Sequence, residues 1–113
     1  MPEPQFGYDT IKRAAVSAAL NGDNVIVAAV AGKKLRVLAL DVSAAGAVNA
    51  KLRSDVGAGG SDITGLHYFA GAGSMWQMDT LGYGWCETDA GEALNLNLSG
   101  AVAVDGVVVY AEV

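Results

Sequence analysis

A short run of strict alternation near the end of the chain constrains its fold more than any other feature. Ala93-Leu94-Asn95-Leu96-Asn97-Leu98 switches between apolar and polar at every step. Successive side chains of a strand point to opposite faces, so Leu94, Leu96 and Leu98 share one side and Asn95 and Asn97 the other. Turn residues bracket the run, Asp89-Ala90-Gly91 before it and Ser99-Gly100 after it. Val102 to Val113 follows as a second β-rich stretch, broken once at Asp105-Gly106. Val107-Val108-Val109 cannot alternate apolar with polar, so both sides of that strand are apolar. This predicts burial by the sheet on one side and by a partner subunit on the other. Val107, Val109 and Tyr110 are the candidate subunit-interface residues.

The rest of the chain reads the same way. Val48 to Asp55 alternates, with Val48, Ala50 and Leu52 inward and Asn49, Lys51 and Arg53 outward. Lys34 to Val42 is predicted as a strand with Lys34, Arg36 and Leu38 on one side and Leu35, Val37 and Ala39 on the other. Leu66–Ala70 and Ser74–Asp79 are short strand candidates. Ile11 to Leu20 suits a helix or a strand; the strand is favoured, as the first arm of a hairpin turning at Asn21-Gly22-Asp23 into Val25–Val30. Turn signals recur roughly every 8–12 residues, the spacing of an antiparallel β-sandwich or jelly roll. Strands and helices do not alternate, which argues against an α/β fold. The length suits one domain, at 113 residues. Residues 1–10 are predicted to be an extended N-terminal arm, and 11–113 a single all-β, jelly-roll-like sandwich. Pro2 and Pro4 keep the arm out of any internal ladder. Phe6 and Tyr8, two residues apart, face the same way if extended and are candidate anchors on a partner.

Charge and motifs exclude several functions. The net charge is −5, and residues 54–113 hold eight acids and no Lys or Arg. An acidic chain is a poor partner for nucleic acid, whose affinity depends on neutralised phosphates. No apolar run reaches the ~18–20 residues of a membrane span. Met1 to Gln5 lacks a basic region and an apolar region, so no secretory leader is expected and folding in a cytoplasm is. The single cysteine, Cys86, reads as a small buried hydrophobe. His67 is the only histidine, and one imidazole cannot supply the three or four ligands of a transition-metal site. Ser61 or Ser74 with His67 and Asp62 or Asp79 lacks the local signature of a nucleophile. Gly57 to Ser61 lacks the ending of a phosphate-cradling loop. Glu87, Asp89 and Glu92 lack the spacing of a calcium loop. No catalytic residue, metal or cofactor is therefore expected. Tyr68, Trp76 and Tyr83 belong to an aromatic cluster between 68 and 85. They form core, interface or a sugar platform.

Four stretches carry a family resemblance: GDNVIVAAVAGKKLRVLAL from Gly22, AGAVNAKLRS from Ala45, GAGGSDITG from Gly57 and GWCETDAGEALNLNLSGAVAVDGVVVYAEV from Gly84. Together they cover about two-thirds of the chain in one order. In these the chain resembles small structural proteins of tailed bacteriophage virions, of the head decoration, head fibre or tail-associated kinds. The resemblance implies a jelly-roll-like subunit that trimerises. As a decoration (cement) protein it would bind the major capsid protein on the outside of the assembled head. As a tail- or head-fibre domain it would bind host-surface glycans, with Tyr68, Trp76 and Tyr83 as the platform.

Overall fold

The computed structural model describes residues 11–55 and 59–113. Its strands are β1 (Ile11–Ala18), β2 (Gly22–Val27), β3 (Leu35–Ala44), β4 (Val48–Ser54), β5 (Ser61–Asp62), β6 (His67–Phe69), β7 (Met75–Met78), β8 (Cys86–Glu87), β9 (Leu94–Leu98) and β10 (Val104–Glu112). They form two sheets. The first runs β1-β10-β3-β7, with β8 also paired to β3; the second runs β2-β9-β4-β5, with β6 also paired to β4. Every pairing is antiparallel. The sheets pack against each other as an all-β sandwich. Proline 2, proline 4, Phe6 and Tyr8 lie outside the described residues.

The alternation places the core. Leu94, Leu96 and Leu98 of β9 are buried, as are Val48, Ala50 and Leu52 of β4. Opposite them, in the first sheet, lie Val37, Leu40, Val42, Val104 and Val108. Each fully buried Leu or Val contributes roughly 1.5–3 kcal/mol. Phe69 joins this core, which among the described residues is otherwise built mostly of Leu, Val and Ala.

Two sequence expectations are corrected. β1 and β2 are strands but not a hairpin: β1 pairs with β10 and β2 with β9, in different sheets. The Asn24 carboxamide explains why. It accepts from the Leu20 N–H and donates to the Leu20 carbonyl, the groups a tight hairpin would spend on its partner strand. The chain therefore crosses the sandwich at this turn, and Val16 and Ile26 meet the core from opposite sides. The second correction concerns faces along β3. Val109 pairs with Ala39 but Tyr110 pairs with Val37, so Leu38 is an extra residue, a β-bulge. Burial follows odd positions up to Val37 and even positions from Leu40, which puts Ala39 on the outer face. Ile26 is a similar extra residue in β2, between Val25 opposite Asn95 and Val27 opposite Leu94. Tyr110, a candidate interface residue, is buried within this chain on the same side of β10 as Val108.

Candidate functional site

The outer faces of the two sheets differ in chemistry. On the second sheet the outward positions of β4 are Lys51 and Arg53, since Ala50 and Leu52 point inward. Arg53 meets Asp23 of β2 at 2.8 Å and Asp62 of β5 at 2.8 Å, and Lys51 meets Asp62 at 3.0 Å. Asn97 donates to Asp23 at 2.7 Å. The hydrogen bonds from Lys51 and Arg53 hold the Asp62 carboxyl below its ordinary range, and the bond to Asp62 raises Arg53. This face satisfies its own charges.

Asn95 departs from that pattern. The alternation groups it with Asn97, but it is fully buried. Its carboxamide donates to the carbonyls of Asp55 and Ala93. Asp55, just after β4, is in the left-handed region at φ 64°, and Asn95 ties down its carbonyl there. Asn95 is thus a turn clamp.

The outer face of the first sheet carries a small apolar strip. Two of its rows hold it, Arg13, Val109 and Ala39 in one and Ala15, Val107, Asp41 and Gln77 in the next, while the row beyond, Ser17, Asp105, Ser43 and Met75, is mostly polar. Val107, Val109 and Ala39 are half-buried, whereas Arg13, Ala15 and Asp41 are exposed. Ala39, Val107 and Val109 also line a shallow depression of about 170 Å³, with Asp41, Gln77 and Asp79 among its polar members. Val107 and Val109, two of the predicted interface residues, therefore lie together on this face, and Tyr110 does not. Ala39 was assigned to the opposite face because the bulge at Leu38 interrupts the alternation. The pattern Asp41-Val42-Ser43-Ala44, read backwards, carries the signal that would have placed it.

The aromatic residues are dispersed. Trp76 stacks on His67, with ring centroids 5.0 Å apart, and packs against the core. His67 also meets Phe69 edge-on at 4.7 Å, and its Nε2 lies 3.1 Å from the Met75 carbonyl. His67 thus joins β6 of the second sheet to β7 of the first. Tyr68 lies between His67 and Phe69 in β6, so it points away from the ring that Trp76 covers, and it is 69% exposed. Tyr83 is 89% exposed in the turn between β7 and β8. The fold does not bring Tyr68 and Trp76 onto one face. Trp85 is better placed for an exposed contact. It is half exposed, and its indole N–H is fixed on the Asp79 carbonyl at 2.7 Å.

The polar residues considered for chemistry have structural partners. Asp62 is engaged by Lys51 and Arg53, and Ser74 Oγ accepts from the Gly71 N–H. Ser54 Oγ bonds Glu92 at 2.6 Å and accepts from the Asp89 N–H. Glu87 binds Arg36 at 2.8 Å and Lys34 at 3.3 Å, and the Arg36 hydrogen bond chiefly holds it below its ordinary range. Cys86 packs against the core, and burial pushes its thiol up to about 11. Among the described residues no three His, Cys, Asp or Glu side chains gather as metal ligands. Comparison with family models, curated proteins and solved structures finds no match.

Proposed function

We propose that this chain is a bacteriophage capsid decoration (cement) protein. It is a non-enzymatic homotrimer, made in the host cytoplasm, that binds the major capsid protein on the outside of the assembled head. The observation carrying this reading is the contrast between the two outer faces. One balances its charges internally, and the other brings Val107, Val109, Ala39 and Ala15 together as a half-buried to exposed apolar strip among the described residues. A face of that kind suits a partner. The resemblance in the β2–β4 and β8–β10 segments supports a virion subunit, and the strand order supports a jelly roll. Counting β5 with β6 and β7 with β8 as interrupted single strands leaves eight positions. They are ordered 1-10-3-7 and 2-9-4-5, as two nested Greek keys would be.

Binding only the assembled lattice stabilises it by mass action, and three linked contacts per trimer give avidity from weak sites. The test is to add purified protein to decoration-free heads and measure occupancy and resistance to heat. Hundreds of copies per particle and a raised melting temperature are expected; a handful of copies would refute the reading. A fibre domain that binds glycans is the second reading, favoured by the exposed Tyr83 and Trp85. Glycan-array binding with low copy number would establish it instead.

A further inference from the structure

Among the described residues, Lys12, Lys34, Arg36, Lys51 and Arg53 are each held by a carboxylate of this chain. Two cations are in no such pair among the described residues: Lys33, just before β3, and Arg13. Arg13 is exposed on β1, and because Val16 and Ala18 point inward, it stands on the outer face of the first sheet. Asp41 of β3 is exposed on the same face and also lacks an ion-pair partner among the described residues. The two are separated by β10, which places them roughly 10 Å apart across the strands.

Between and beyond them lies the depression with Ala39, Val107 and Val109 on its floor and Asp41, Gln77 and Asp79 among its polar members. Among the described residues two carboxylates and no cation line it. An arginine fits such a site in two ways. Its methylenes lie on apolar side chains, and its guanidinium forms forked bonds to carboxylate and carboxamide oxygens.

We propose that the outer face of the first sheet docks a second copy of this chain head to tail, with Arg13 of one copy entering the depression of the next and pairing with Asp41. This rests on the self-association proposed above and adds its orientation and its selectivity. Arg13 stands towards the β1 margin and Asp41 and Asp79 towards the β7 margin, with Asp105 of the central β10 one row away, so unlike parts of a single face complement each other. A repeated contact of that kind closes into a ring of three only where its rotation is about 120°, the angle the trimer proposed above sets. The apolar floor supplies the buried area, and the charge pair fixes the register.

The experiment uses Arg13→Asp, Asp41→Arg and the chain carrying both changes, with oligomeric state read by analytical ultracentrifugation and native mass spectrometry. Each single reversal sets like charges against each other and is expected to weaken association roughly a hundredfold. The double change restores the pair in every interface, so it is expected to trimerise again. Refolded together with the unaltered protein, it should give two separate homotrimers, because each mixed contact opposes like charges. Free mixing of the two chains would overturn the proposal and show that Arg13 serves its own copy. Single variants that remain fully trimeric would overturn the pairing and leave the trimer standing. An unaltered protein that is monomeric at micromolar concentration would overturn both. Arg13→Gln and Asp41→Asn provide a second measurement without reversed charge. Each is expected to weaken association, and the two together to cost no more than the worse of them. Additive losses would count against a direct pair.

Discussion

Gly106 sits in the middle of β10, opposite Val16 of β1 and Val42 of β3. A side chain there would collide with the Asp41 carbonyl and approach the Val42 Cα to 2.7 Å. Both are backbone atoms, so no rotamer change relieves the contact. Carbon atoms pack at ~3.5–4.0 Å, so β3 would have to retreat by about 1 Å. Two ladder hydrogen bonds at roughly 1 kcal/mol each would be strained or lost. Overpacking adds about 1–3 kcal/mol. The smaller entropy of an unfolded chain with alanine offsets ~0.4–1 kcal/mol. Gly106→Ala is therefore expected to destabilise by about 2–4 kcal/mol, a large part of the ~5–15 kcal/mol typical of a domain. Gly65→Ala is the control, because a Cβ there meets nothing within 4 Å. It should stay within ~0.5 kcal/mol of the unaltered protein. Urea unfolding followed by tryptophan fluorescence, at one fixed protein concentration, measures both. With a slope of ~1–3 kcal/mol/M, the Gly106 variant should lose at least about 0.7 M in midpoint. Equal midpoints for the two variants would refute the close approach of β10 to β3.

Acid should destabilise the fold through Glu87 and Asp62, whose folded pKa values are lowered. The unfolded chain takes up these protons first, so stability present above the ordinary carboxylate value of ~4 is lost as pH falls through the lowered values. Urea midpoints should fall below about pH 4, and Glu87→Gln should flatten that decline; an unchanged decline would count against the Arg36–Glu87 contribution. Cys86, pushed up to about 11 chiefly by burial, should alkylate roughly 100-fold more slowly at mildly alkaline pH than a free cysteine. Rates in denaturant should converge, and native reaction at the free rate would show that the thiol is not shielded. Deleting residues 2–9 removes Phe6 and Tyr8 and is expected to leave fold and trimer intact while weakening attachment to decoration-free heads. Undiminished attachment would show that the arm does not anchor the subunit.

Much of this fold was legible because alternation is a local signal. β4 and β9 each read as strands with one apolar side, and their inward residues are the ones the core buries. The signal failed wherever an added residue or a side-chain bond reset it. Adjacent buried residues mark both bulges, Ile26-Val27 in β2 and Val37-Leu38 in β3. A period of two counted through such a pair assigns everything beyond it to the wrong face, as it did Ala39. The crossing between β1 and β2 was illegible for a different reason. Asn-Gly favours a tight hairpin locally, and the Asn24 bonds to Leu20 that prevent it depend on where β2 pairs, seventy residues further along.

The candidate face was legible in part, and Tyr110 is the informative residue. Three consecutive valines imply two apolar sides, but they do not extend that inference to Tyr110, whose parity follows Val108 into the core. What makes the outer side a candidate surface is the set of residues that the neighbouring strands align with Val107 and Val109: Ala15 and Arg13 from one side, Asp41 and Ala39 from the other. Those neighbours lie more than sixty residues away in the sequence and become adjacent only through the 1-10-3 order. Arg13 and Asp41 looked like ordinary solvated charges because nothing local distinguishes them from Lys12 or Arg53. The distinction is that the fold gives Lys12 the Glu112 carboxylate at 3.0 Å and gives Arg53 two carboxylates, while Arg13 receives none among the described residues. An exposed ion pair is worth little by itself, about 0–1 kcal/mol. Buried between two copies over an apolar floor, the same pair selects which margin meets which, since every other register leaves a charge without its partner.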